Sequence, residues 1–210
     1  MLSITCQYTA KHYGRHVLLK PFSYQFSGYG TYVFTGANGA GKSTLLSLIM
    51  GYVAPSEGSI SRIREEKSLH LAAFHRISCW IAPDLQLIAS YTLRDFLTFY
   101  RRFKTLTLDN DAFSAATDLP LTGRTLGEFS KGMQQKVKLG LAFYSTASCL
   151  LLDEPTVNLD GQNKQWYRQQ SQQVAGQRML LIASNEEQEY QFLAEKQLFR
   201  IAQSEVRPYA

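Results

Sequence analysis

The run Gly36-Ala37-Asn38-Gly39-Ala40-Gly41-Lys42-Ser43-Thr44 has the residue types and spacing to hold a polyphosphate. It fits the pattern G-x-x-x-x-G-K-[ST], in which glycines let successive backbone N–H groups turn inward toward phosphate oxygens and a following helix adds its positive end. Lys42 would reach the terminal phosphates. The Ser43 hydroxyl would serve Mg²⁺, an ion that keeps several waters and takes few protein ligands. A second chemical feature lies far downstream, where Cys149-Leu150-Leu151-Leu152 runs into the adjacent acids Asp153 and Glu154 and then Pro155. Beside a phosphate cradle such a pair divides its work: Asp153 for the magnesium shell, Glu154 to position or deprotonate the attacking water.

The elements that must hold these residues can be read from local pattern. Thr31 to Thr35 is β-branched and aromatic, short and bounded by glycine, which predicts a buried strand entering the cradle. Ser43 to Met50 carries four large aliphatic residues and ends at Gly51, as a helix closed by a C-terminal glycine does. Val17 to Phe26, Ile77 to Ala82, Cys149 to Leu152 and Met179 to Ala183 read as further strands, with Tyr91 to Phe103 and Gln134 to Tyr144 as helices. Thr92 is placed to cap the first of these helices. Strands alternating with helices predict an α/β fold with a largely parallel sheet, and the helix-rich stretch from about 83 to 144 reads as an insertion between its halves.

Phe129-Ser130-Lys131-Gly132-Met133-Gln134-Gln135-Lys136 resembles the signature motif of ABC ATPases, written LSGGQ and often varied to a Ser-Lys-Gly-Met form in exporters. Val157-Asn158-Leu159-Asp160 follows as the D-loop of that family. The motifs span about 36 to 160, and looser similarity runs from Tyr13 to the strand end Ile182-Ala183-Ser184-Asn185. The resemblance implies a P-loop NTPase fold, with an antiparallel β subdomain and an inserted helical subdomain beside the parallel core, in one nucleotide-binding domain over 1–210. It implies ATP and Mg²⁺ as ligands and hydrolysis coupled to transport through a separate membrane-spanning permease subunit. Two nucleotide-binding domains, identical or different, would pair head to tail. Ser130 and Gly132 of one would then close on ATP held by Lys42 of the other, with Asp160 of the D-loop alongside. Tyr13 matches the aromatic that stacks on adenine.

Two positions depart from the family pattern. Its magnesium-water glutamine is Asp84 in Ile81-Ala82-Pro83-Asp84-Leu85-Gln86, with Gln86 two residues on, and its switch histidine is Asn185. Asparagine can donate a hydrogen bond to a γ-phosphate but carries no charge. A helix cap after the Leu180-Leu181-Ile182 strand, shared with Ser184, is the alternative role for Asn185.

Composition sets outer bounds. With 210 residues, 45% hydrophobic, the chain suits one domain rather than two. The 22 Lys+Arg against 17 Asp+Glu leave a net charge of +5 with no block of like charge, so nucleic acid is not an expected partner. Three scattered cysteines argue for buried thiols rather than disulfides or a zinc site. No apolar run reaches the ~20 residues of a spanning helix. Together with the resemblance, this places the chain in the cytoplasm, peripheral on the cytoplasmic face of the inner membrane. A soluble assembly ATPase of the iron–sulfur type, or a weakly active subunit of a heteromeric complex, is the alternative.

Overall fold

The computed structural model describes residues 1–209. The first half of the chain forms β1 (Leu2–Tyr13), β2 (His16–Ser27), β3 (Thr31–Thr35), α1 (Lys42–Met50), β4 (Glu57–Arg64), β5 (Lys67–Ser68), α2 (Leu71–Ile77) and β6 (Ser78–Ile81). Three helices follow: α3 (Leu93–Tyr100), α4 (Asn110–Thr117) and α5 (Lys131–Phe143). The chain then continues through β7 (Cys149–Asp153), α6 (Gly161–Val174), β8 (Met179–Ala183), β9 (Lys196–Ala202) and β10 (Glu205–Tyr209).

One sheet has the order β10-β9-β3-β8-β7-β6, parallel throughout except for the β9–β10 hairpin. All residues of β7 and β8 are buried, because both faces of the sheet are covered and no polar alternation is needed. Successive residues serve opposite cores. Phe34, Leu151 and Leu181 face one cluster, shared with α1 and with the strands β1 and β2. Val33, Leu150, Leu152, Leu180 and Ile182 face the other, closed by α5 and α6. The second sheet, β2-β1-β4-β5, is antiparallel and lies over the first core.

Between β6 and β7 the chain builds a third cluster from Leu93, Phe96, Leu97, Phe113, Val137 and Leu141, among others. Thr92 caps α3 as its sequence predicts, accepting the Asp95 N–H at 3.2 Å. Cys6, Cys79 and Cys149 are free and buried.

Register decides what the sheet can do. Phe34, Ala183 and Asp153 stand in one row across β3, β8 and β7, while Ile81 of β6 pairs Leu152, one residue earlier. The segments leaving these strands are therefore neighbours at the carboxyl edge of the sheet, where open α/β folds place their ligands. They carry Gly36, Asn185, Glu154 and Asp84.

Candidate active site

The phosphate loop starts with a close approach. Gly36 has φ 146°, and a Cβ there would lie 2.3 Å from the Ile201 carbonyl oxygen on β9, so only glycine fits. Ala40 N–H donates to Ala37 O at 3.0 Å, and Leu45 N–H donates to Gly41 O at 2.8 Å as α1 begins. Asn38 and Gly39 are exposed at the loop's outer turn, whereas Thr44 is half-buried on the first turn of α1. Lys42 is buried, and its Nζ donates to Gly36 O at 2.8 Å and Ala37 O at 3.2 Å, so the loop is wound around an ammonium. Burial lowers the lysine's pKa, opposed by the nearby charges of Glu154 and Asp153.

Asp153 closes β7 at 2% exposure. Burial pushes its carboxyl up to about 6; a hydrogen bond from Ser43 and the Lys42 charge oppose the rise, while Glu154 and Asp84 add to it. Its Oδ1 is buried with no hydrogen-bond partner. A carboxylate oxygen in that position, next to a serine hydroxyl and a lysine, fits a divalent cation whose other ligands are phosphate oxygens and water. Among the described residues no group of three or more His, Cys, Asp or Glu could hold a metal by itself. That suits Mg²⁺, for which Asp153 and Ser43 would suffice on the protein side.

Glu154 is half-buried and holds φ 44°, a left-handed conformation that costs a residue with a side chain on the order of 1–3 kcal/mol. It persists because it is held on both sides. Glu154 N–H donates to Ala183 O at 2.8 Å, and its carbonyl accepts the Val157 N–H at 3.2 Å.

The signature segment opens α5. Ser130 is the N-cap, its Oγ accepting the Met133 N–H at 3.1 Å. A Cβ on Gly132 would come within 2.8 Å of Asn158 O, so the absence of a side chain lets the D-loop of the same chain lie against the signature turn. Asp160 caps α6 by accepting the Asn163 N–H at 2.9 Å. Two further polar residues of α5 are buried, Gln135 within the signature segment and Lys138 just beyond it, neither given a role by the sequence. Gln135 Nε2 donates to Pro155 O at 2.9 Å, just beyond Glu154. Lys138 Nζ donates to Pro83 O at 3.1 Å, which ties α5 to the loop bearing Asp84. Burial lowers the pKa of Lys138, opposed by the charge of the exposed Asp84, which also adds to the rise at Asp153.

Asn185 does not cap a helix. Its Oδ1 accepts the Gly36 N–H at 3.3 Å and its Nδ2 donates to Asn38 Oδ1 at 2.7 Å, so the side chain bridges two points of the phosphate loop. Ser184 takes a local role instead, its Oγ accepting the Glu186 N–H at 2.9 Å. Tyr13 stands apart from these groups at the β1–β2 hairpin end, 53% exposed, with Lys11 Nζ 4.9 Å from its ring centroid.

Asn185→Ala removes both tethers from an exposed position. Turnover is expected to fall by roughly 3–10-fold, the worth of one or two hydrogen bonds, with little change in thermal stability. Rate and melting temperature measured on one sample check this. A stability loss with an unaltered rate per folded molecule would return Asn185 to a purely structural role.

The sequence profile of the family described as ABC transporter matches residues 19–157. The ABC transporter ATP-binding protein YybJ of Bacillus subtilis (strain 168) is 31% identical over 146 residues, 68% of this chain and 66% of that protein. The linearmycin resistance ATP-binding protein LnrL of the same organism is 27% identical over 193 residues, 89% of this chain and 62% of LnrL. The chain spans less than two thirds of the length of these curated relatives, and 28% of the ATP-binding protein YbhF of Escherichia coli (strain K12). Among solved structures, the dimeric post-hydrolysis state of the ATP-binding cassette MJ0796, bound to ADP and Pi, superposes with a TM-score of 0.80 at 16% identity. That superposition covers 98% of this chain and 97% of the other, a likeness of fold.

Proposed function

Because this chain belongs to the ABC transporter family, we propose that it binds Mg-ATP, hydrolyses it, and couples hydrolysis to transport through a separate membrane-spanning subunit. One observation carries the reading. The sheet register brings the Lys42 loop to a single edge with the Asp153–Glu154 pair and Asn185, although the loop lies more than a hundred residues from both in sequence.

The work divides among the chain's own residues. The backbone N–H groups of Gly39 and of Gly41 to Thr44, with the positive end of α1, serve the phosphates, and Lys42 exchanges its loop carbonyls for phosphate oxygens. Ser43 and Asp153 would hold Mg²⁺, which would neutralise charge on the terminal phosphates. Glu154, fixed by its strained backbone, accepts a proton from the attacking water. Asn185 keeps the loop in register and offers an amide donor.

The same reading supplies a dimer. Ser130 Oγ accepts from Met133 N–H, which leaves its own proton to donate to a phosphate across an interface. The N-terminus of α5 lends positive potential there. Tyr13, exposed on the hairpin, is placed for a base to stack on its ring. No helix among the described residues is long and apolar enough to cross a membrane.

The test is nucleotide-dependent dimerisation. A Glu154→Gln protein sedimenting as monomer is expected to become a dimer with Mg-ATP, because ligand at ~100 Kd adds about 2.7 kcal/mol to the state that binds it. A monomer at saturating Mg-ATP, or a dimer indifferent to nucleotide, overturns the head-to-tail sandwich.

A further inference from the structure

Glu189 lies in the run Asn185-Glu186-Glu187-Gln188-Glu189, which reads as a solvated acidic turn, yet it is 3% exposed. Its Oε1 accepts both the backbone N–H of Thr156, at 2.8 Å, and the Thr156 hydroxyl. Thr156 is itself buried, two residues beyond Glu154. The Ser184 hydroxyl also lies beside the Glu189 carboxyl, and Ser184 immediately precedes Asn185. The Glu189 carbonyl accepts from the Tyr167 hydroxyl at 3.1 Å, which anchors the turn to α6.

We infer that Glu189 is a positioning residue for hydrolysis: its carboxyl clamps the turn after Glu154 and locks that turn to the strand end that carries Asn185. The inference rests on the role given to Glu154 above. The physical argument starts from strain. Glu154 sits in a left-handed conformation that its neighbours must impose. Ahead of it, Ala183 O holds its N–H; behind it, the turn is held by Gln135 at Pro155 and by Glu189 at Thr156. Three elements thus fix one carboxylate: β8, α5 and the segment after β8. Of the three, Glu189 takes two hydrogen bonds from one residue through one buried oxygen, so its removal leaves a buried N–H and a buried hydroxyl without an acceptor. A turn released in this way lets Glu154 leave its geometry while the phosphate loop, on the far side of β8, stays as it is.

Burying a carboxyl with its second oxygen, Oε2, unpartnered is costly, and its retention where an apolar residue would pack suggests a demand other than stability. Burial raises the pKa of Glu189, with the Ser184 and Thr156 hydroxyls opposing and Glu186 adding to the rise. The clamp needs only an acceptor at Oε1, so the neutral amide of glutamine can replace it.

The experiment compares Glu189→Ala, Glu189→Gln and Thr156→Val for Mg-ATPase turnover and for affinity toward a non-hydrolysable ATP analogue. The same measurements are made with Glu189→Ala added to Glu154→Gln. Expected are a ~10–100-fold fall in kcat for Glu189→Ala with analogue affinity within about threefold of wild type, and a smaller fall for Thr156→Val. Glu189→Gln should retain most of the rate, and Glu189→Ala should cost little further in the Glu154→Gln background, because a residue acting through Glu154 has nothing left to position. Turnover lost only in proportion to lost nucleotide binding, or an undiminished loss in the Glu154→Gln background, would make Glu189 a structural residue and overturn the inference. Unchanged kcat in Glu189→Ala would also overturn it. A Glu154→Gln protein with full activity would overturn the catalytic assignment itself, which keeps the two failures apart. Should Glu189→Ala not fold, Thr156→Val and Glu189→Gln decide the matter, since one loses a clamp contact and the other keeps both.

Discussion

Replacing Glu154 by Gln is expected to reduce ATP turnover by roughly 10²–10⁴-fold while leaving Mg-ATP affinity within about threefold, the pattern for loss of a general base. The substitution is conservative where it must be. Glutamine keeps the length and shape of the side chain, and the backbone contacts to Ala183 and Val157 that hold φ at 44° do not involve it. What is lost is the ability to take a proton from water while remaining in hydrogen-bond reach. Because that interaction forms in the transition state and not on nucleotide binding, kcat and kcat/KM should fall together. Steady-state kinetics beside a binding titration checks the claim. Unchanged turnover would remove Glu154 from the reaction and leave its strained backbone without a functional explanation.

Sequence made the chemistry legible where it is contiguous. The loop from Gly36 to Thr44 announces itself because its whole pattern lies within nine positions between a strand and a helix. Asp153 and Glu154 could be read because an all-buried strand ends on them. The helix start at Thr92 was equally legible, since capping is a local affair, whereas the second helix, read from Gln134, begins three residues earlier behind its cap Ser130. What sequence could not supply was convergence. Asn185 reaches Gly36 and Asn38 only because β8 lies directly beside β3, and nothing near Asn185 in the chain records that neighbour. The cap considered for it is not what it forms; its side chain bridges Gly36 and Asn38 instead.

The acceptor in Glu189 was hidden in an acidic run whose composition reads as surface. Gln135 and Lys138 were a fairer test. They stand three apart on α5 within Gln135 to Phe143, all of it buried, and polar groups in a helix buried all round need partners. The strands β1, β9 and β10 were not read directly, although Leu2, Ile4 and Cys6 of β1 alternate with Ser3, Thr5 and Gln7 as a half-buried strand should. The antiparallel sheet came from family resemblance, and the structure bears it out.

Asp153→Asn should move stability and activity in opposite directions. In the native protein, burial lifts the Asp153 carboxyl from the ordinary 3.8 to about 6, against the pull of Ser43 and Lys42. A carboxyl whose native pKa lies above its unfolded value binds its proton more tightly in the folded state. The stability this contributes is present below the unfolded pKa and is lost as pH rises through the native one. Without nucleotide and metal, the charged Asp153 therefore costs on the order of 1–3 kcal/mol above about pH 7, and asparagine, neutral at every pH, avoids that cost. Urea unfolding in EDTA should show Asp153→Asn and wild type nearly equal at about pH 4, with the variant pulling ahead between about pH 4 and 6 and holding its lead at about pH 8. Lys42, Glu154 and Asp84 face the same site, but they are common to both proteins and fall out of the difference to first order. Turnover with Mg-ATP should fall by at least ~100-fold in the same variant, because the amide presents no charge to the ion that neutralises the phosphates. Mg-ATP should also stabilise wild type more than the variant, by mass action on a weaker site. A variant destabilised equally at all pH values would show that Asp153 serves the fold; its unpartnered Oδ1 would then be no sign of a metal.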